Sequence, residues 1–244
     1  MASENENPNS ANDFSIVKRF SVANTVLWLF ALYLPSVFLG IVFGIYTTTD
    51  PTITDANAWF ADGDVISLFS IFLAVLTLPV VALALKKMQF KQKYQFLRLS
   101  TEFCWHNFKP WALLTLVYLT FWWVFNAMFG IETPQIMLDL LATTDNVWLL
   151  FIAICIFAPI IEEIVFRGFL FSRLQYSILG KSGAVLATSI IFTLIHSQYQ
   201  GIELVSLFSL ALLLAMVRVK TNNINYCIAI HSINNFVSLV ALYW

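Results

Sequence analysis

From Val22 to Trp244 the chain is a succession of apolar runs separated by short charged or turn-forming stretches. Crossing ~30 Å of hydrocarbon at ~1.5 Å per residue takes about 20 residues, and a segment shielded from water must satisfy its own main chain, so such runs fold as helices. We read about seven: Val22 to Tyr46, Val65 to Leu85, Trp111 to Phe129, Val147 to about Ser172, Gly183 to Tyr199, Ile202 to Val217 and Ile224 to Trp244. The sixth is short and is expected to tilt or to be partly embedded. The fold class that follows is all-α: a polytopic membrane helix bundle. With 59% apolar and 11% charged residues, composition excludes a soluble domain.

Charge placement tests the span count independently, because loops on the cytoplasmic side gather Lys and Arg. All 13 basic residues fall on one side of the seven-span scheme, from Lys18 and Arg19, through Lys86 to Lys109, to Arg218 and Lys220. The opposite loops carry Asp50, Asp55, Asp62, Asp64, Glu132, Asp139, Asp145 and Glu203 and no basic residue. The N-terminus is therefore expected in the cytoplasm, in a multi-pass protein of the cell (plasma) membrane.

Residues 1–21 are polar, rich in Asn and Ser, and expected to be disordered. Span one is too long for a cleaved signal and reads as an uncleaved anchor. Residues 22–146 form an N-terminal set of spans with an amphipathic connector, Lys86 to Phe108, on the cytoplasmic membrane surface. Residues 147–244 hold the functional core. Cys104, Cys155 and Cys227 have no paired spacing and suggest neither disulfides nor a zinc site. No phosphate loop and no nucleic-acid motif is present.

Two adjacent carboxylates, Glu162 and Glu163, interrupt the fourth apolar run, and Arg167 follows. A charge at the centre of a membrane helix costs roughly 2.5–3.5 kcal/mol on insertion scales, so such groups pair, line a cavity or carry a reaction. Pro159 lacks an N–H and should kink the helix or restart it, leaving both glutamates in a first turn that favours negative charge. Arg167 stands four residues after Glu163, the spacing of an intrahelical ion pair. Glu162, about 100° around the helix, has no such partner and suits a general base. His196 ends an apolar run with Phe192 one turn before it, and His231 and Asn235 share a face of the last span. If the fourth helix runs unbroken to Arg173, Glu162 lies ~16 Å deep, His196 ~21 Å and His231 ~12 Å, which ordinary tilt reconciles. Arg167 is then buried beside its glutamates.

These residues resemble a family. Glu162-Glu163-Ile164-Val165-Phe166-Arg167 looks like the EExxxR motif of the CPBP intramembrane proteases, which include the CAAX prenyl endopeptidases and the Abi bacteriocin-immunity proteins. Phe192 to His196 matches the FxxxH element and His231 to Asn235 the HxxxN element, in the family's order. Thr221-Asn222-Asn223-Ile224-Asn225 departs from the Thr-Gly-Ser-like turn common there, which puts the start of span seven in question. The resemblance implies a glutamate-dependent intramembrane endopeptidase without a cofactor, acting on a peptide or protein substrate that is lipidated in the CAAX branch. It implies that Glu162 activates water with help from His196, that His231 and Asn235 bind the oxyanion, and that Glu163 and Arg167 orient the site. Asn234, next to Asn235, is disfavoured only by helical register. Two histidines and a glutamate are also the ligand set of a catalytic zinc, although no HExxH is present. A non-catalytic scaffold or immunity protein and a small transporter are the remaining readings. Interhelical polar contacts average only about 0.6 kcal/mol, which motivates a buried polar cluster poorly on stability grounds alone.

Overall fold

The computed structural model describes residues 21–100 and 102–243. The disorder expected for residues 1–21 falls outside the described residues except at Ser21, whose hydroxyl caps the first helix by accepting from the Asn24 N–H. The described residues are helical and contain no strand. Seven apolar helices make the bundle: α1 (Val22–Thr49), α2 (Gly63–Ala84), α3 (Trp105–Phe129), α4 (Val147–Leu174), α5 (Gly180–Ile195), α6 (Ile202–Thr221) and α7 (Ile224–Tyr243). Among the described residues six are long and apolar enough to cross a membrane, which makes the chain an integral, multi-pass membrane protein.

The short member is α5, not the sixth helix. With 16 residues α5 reaches only ~24 Å, and it stops at Ile195 where Tyr199 was expected. His196 causes the stop. Its backbone leaves the helical region (φ −93°, ψ 47°), its own N–H turns to the Thr193 carbonyl, and its ring Nδ1 takes the Phe192 carbonyl at 2.7 Å in place of that N–H. The sixth helix, expected to end at Val217, continues to Thr221 because Arg218 lies inside the bundle, 1% exposed. Helix α3 begins at Trp105, six residues before the expected start, and absorbs the end of the connector.

Burial ranks the helices by position. Among the residues of α1 only Thr25, Pro35, Leu39 and Thr47 are buried, and of α3 only Phe108 and Thr115, leaving broad apolar faces where lipid would lie. Helix α4 is central: from Ile164 to Leu174 every residue but Val165 is buried. Phe166, Leu170, Phe171 and Leu174 pack with Ala184, Phe192 and Ala211 of α5 and α6, while Ile164 and Phe169 pack with Val81, Leu85, Phe96 and Ile224.

Helix α4 is continuous through Pro159 and does not restart there. Its two wide, π-helical stretches are Ala153–Phe157 and Ile164–Leu170, one on each side of the glutamate pair. The widening before Pro159 accommodates the ring, so the glutamates sit in mid-helix and face no exposed first-turn N–H groups.

The turn between α6 and α7 shows how an Asn-rich sequence does the work of glycine. Asn222 adopts the left-handed conformation (φ 54°) and ends α6, and the Asn223 side chain accepts from the Asn225 N–H to start α7 at Ile224. The connector docks on this turn. Its short helix, Phe90–Leu97, buries Phe96 and Leu97, and beyond it the Arg98 carbonyl accepts from the Ile224 N–H while the Glu102 carbonyl accepts from Asn223 Nδ2, each at 3.0 Å. Asn225 Nδ2 donates to the Ser100 carbonyl.

Candidate active site

The glutamates diverge as their 100° offset requires. Glu163 is fully buried, and one of its oxygens, Oε1, accepts from Arg167 Nη1 at 2.7 Å and from His231 Nδ1 at 3.0 Å. Arg167 is also fully buried, with Nη2 donating to the Ala211 carbonyl at 3.1 Å. Its guanidinium lies 4.6 Å from the centre of the Phe192 ring, a contact that suits a desolvated cation. Glu162 keeps 22% of its side chain exposed, and its inward oxygen, Oε2, has no hydrogen-bond partner. That atom faces His231 Nε2 at 3.8 Å, too far for a direct hydrogen bond.

A carboxylate accepts, so the proton in the His231–Glu163 bond lies on Nδ1 and Nε2 is left to look at Glu162. The same reasoning applies to His196: a carbonyl accepts from Nδ1, so Nε2 is the free ring nitrogen. Phe192 separates the two imidazoles, tilted 4.7 Å from the His196 ring and edge-on 5.9 Å from the His231 ring, and it is wholly buried. Tyr199 stacks on His196 with ring centres 6.5 Å apart. Burial first, then Glu203 and then Glu162, raise the Tyr199 phenol above its ordinary range.

Of the six residues singled out in the sequence, Arg167 and His231 are joined through Glu163, and Glu162 stands 3.8 Å from His231. His196 joins them through Phe192 and makes no ion pair with either glutamate. Asn235 does not reach the carboxylates. Its Nδ2 donates at 2.9 Å to the carbonyl of Ile154, two turns before Glu162 on α4. The α-helical donor to that carbonyl would be the Ala158 N–H, which bonds Ala153 instead, and the next donor along is Pro159, which has none. Asn235 thus closes the gap that the first wide stretch and Pro159 leave in the main chain. Asn234 donates to the Asn235 side-chain oxygen at 3.2 Å and supports it.

Sequence reasoning passed over Arg218, whose Nε donates to the Arg167 carbonyl at 3.0 Å. It was read as a loop charge, although its place in Met216-Val217-Arg218-Val219 was a signal of burial. Among the described residues no group of three or more His, Cys, Asp or Glu side chains could hold a metal ion, so Glu162, His196 and His231 are not gathered as a ligand set.

Residues 144–237 match the family described as type II CAAX prenyl endopeptidase Rce1-like. The matched residues, fewer than half of the chain, are similar to that family. The match takes in the glutamates, Arg167, both histidines and Asn235, agrees with the resemblance to the CPBP proteases, and leaves residues 1–143 unmatched. The matched family is one of proteases. No curated protein and no solved structure matches the chain.

Proposed function

We propose that the protein is an intramembrane endopeptidase that hydrolyses a peptide bond near its basic, cytoplasmic side, and that its substrate is the C-terminal tail of a lipidated protein. One observation carries this reading. The accessible carboxylate, Glu162, has an unpartnered oxygen 3.8 Å from an imidazole nitrogen, and that imidazole is held from behind by a fully buried Glu163–Arg167 pair. Such an arrangement separates the roles of two neighbouring carboxylates by environment.

In the proposed reaction, water bound to Glu162 gives up a proton to that carboxylate as its oxygen attacks the scissile carbonyl carbon. His196 Nε2 accepts the water's second hydrogen bond. The oxyanion receives hydrogen bonds from the imidazolium form of His231, through Nε2–H, and from the Asn235 amide hydrogen that Ile154 leaves unused. Removing one such donor costs roughly 2.7–4 kcal/mol of transition-state stabilisation. Glu162 then delivers its proton to the leaving nitrogen as the C–N bond breaks. Glu163 and Arg167 touch no reacting atom; they set the direction of His231.

The test uses purified protein and a farnesylated C-terminal peptide with a fluorescent reporter. Wild type is expected to release the C-terminal fragment, and Glu162→Gln to lower kcat at least a thousandfold while remaining folded. Cleavage by Glu162→Gln at the wild-type rate removes the glutamate mechanism. Activity abolished by strong chelators and restored by zinc would replace it with a metal-dependent one.

A further inference from the structure

Arg218 is a buried charge that the proposed reaction leaves without a role. It is 1% exposed, and among the described residues it forms no ion pair with a carboxylate. Its donors go to neutral acceptors: Nε to the Arg167 carbonyl at 3.0 Å, Nη1 to Asn222 Oδ1 at 2.9 Å and Nη2 to Ser172 Oγ at 3.3 Å. The guanidinium carbon stands 5.1 Å from the centre of the Phe171 ring. Burying a guanidinium among neutral groups is costly, so packing alone does not explain an arginine there.

The main chain of α4 supplies the reason. The Phe171 N–H bonds the Phe166 carbonyl, five residues back, at the end of the second wide stretch. The next carbonyl, that of Arg167, thereby loses its α-helical donor, and Arg218 Nε replaces it. From that point a continuous set of bonds runs through one residue to the site: Arg218 to the Arg167 backbone, the Arg167 side chain to Glu163, and Glu163 to His231. An ordinary α-helical register over Ile164–Leu170 would rotate one end against the other by about 100°, the arc of a single residue. Arg167 would keep its i,i+4 offset from Glu163 but would no longer present its second Nη to the Ala211 carbonyl, the contact that braces the pair.

We propose that Arg218 is a positioning residue: by occupying the Arg167 carbonyl it holds Ile164–Leu170 in its wide register, and so aims the Arg167–Glu163–His231 set at Glu162. The same side chain ties this register to the basic-side connector. Ser172, which Arg218 touches, donates to the Phe96 carbonyl at 2.9 Å, and Asn222 opens the turn on which Arg98 and Glu102 dock. The catalytic part of this inference rests on the endopeptidase reading; the backbone part does not.

Arg218→Gln and Arg218→Lys in the full-length protein test it, read by amide hydrogen exchange of residues 166–172 and by kcat and KM on the farnesylated peptide. Exchange in that stretch is expected to rise at least tenfold with α5 unchanged. The kcat is expected to fall at least tenfold with KM within twofold. Lysine should not rescue, because one ammonium cannot serve both the Arg167 carbonyl and Asn222. Exchange or kcat within twofold of wild type, or recovery of both by lysine, overturns the proposal. If neither variant folds, Asn222→Gly keeps the left-handed backbone and removes the Nη1 acceptor. It should raise exchange in the same stretch at least threefold, and unchanged exchange overturns the proposal equally. A wild-type protein that cleaves no peptide defeats the endopeptidase reading, and exchange alone then decides whether Arg218 holds the register.

Discussion

His231 Nδ1 and Arg167 Nη1 converge on a single oxygen of Glu163, at 3.0 and 2.7 Å, deep inside the bundle. One carboxylate oxygen therefore neutralises a buried cation and fixes an imidazole at once. The neighbouring carboxylate, Glu162, does neither, since its nearest basic atom is 3.8 Å away.

This asymmetry predicts unequal stability effects for two identical substitutions one residue apart. Glu163→Gln leaves the Arg167 guanidinium buried without a counter-charge and should destabilise the protein by about 3–5 kcal/mol, the range for breaking a buried pair. Glu162→Gln removes no ion pair within hydrogen-bond distance and should change stability by under about 1 kcal/mol, within the ordinary range for sites away from such features. Thermal unfolding in one detergent compares them. Equal losses would show that the glutamates share the structural load.

Pro159→Ala should separate stability from activity. Alanine is intrinsically better in a helix interior by about 3 kcal/mol, part of which the widened turn already recovers for proline. The restored N–H can reach the Ile154 carbonyl and compete with Asn235 Nδ2, which holds it at 2.9 Å. The variant should melt no lower than wild type, while kcat falls several-fold because Asn235 loses its anchor. A parallel drop in melting temperature and rate would sink this account of the first wide stretch.

Tyr199 offers a reporter of the Glu162 charge. Burial, Glu203 and Glu162, in that order, raise its phenol, so the folded protein holds this proton more tightly than the unfolded chain. Below the unfolded value, about 10, both states are protonated and stability is intact. As pH rises from there through the folded value, the unfolded chain ionises first and stability falls. Glu162→Gln removes one cause of the rise and should bring the Tyr199 titration down; Glu203→Gln should bring it down further. Carbon-13 labelling of the tyrosine ring reads both, and identical curves in wild type and Glu162→Gln would place the carboxylate out of reach.

What the sequence disclosed was whatever depends on spacing within one helix. The Glu163–Arg167 pair follows from an i,i+4 offset, and the apolar runs follow from length and hydropathy, so their helices could be read directly. Contacts between helices were legible only where residue type limits the options, as for His231. Asn235 could be singled out, but its contact with Ile154 could not, because a main-chain carbonyl is a partner that no sequence pattern marks until the wide stretch before Pro159 is known. Arg218 escaped for the same reason, and also because the positive-inside rule assigns such residues to loops. The early end of α5 came from His196 bonding its own preceding turn, a local choice that the hydrophobic period does not encode.

Gly168, next to Arg167, tests how closely the connector must approach the second wide stretch. A Cβ built there would stand 3.2 Å from the Leu97 carbonyl oxygen, with Leu97 Cδ2 at 3.4 Å and Ile224 Cδ1 at 3.5 Å. The two methyl contacts can relax, but the carbonyl belongs to a backbone held on either side: Ser172 Oγ bonds Phe96, and the Ile224 N–H bonds Arg98. Gly168→Ala gains helix propensity of about 0.8–1.0 kcal/mol and loses about 1–3 kcal/mol to overpacking, so the second effect should win by a small margin. Because the displaced element is the connector, the variant should show faster amide exchange at residues 96–100 before any change in α5. Unchanged exchange there, with wild-type stability, would mean that the connector is not seated against Arg167's turn of α4.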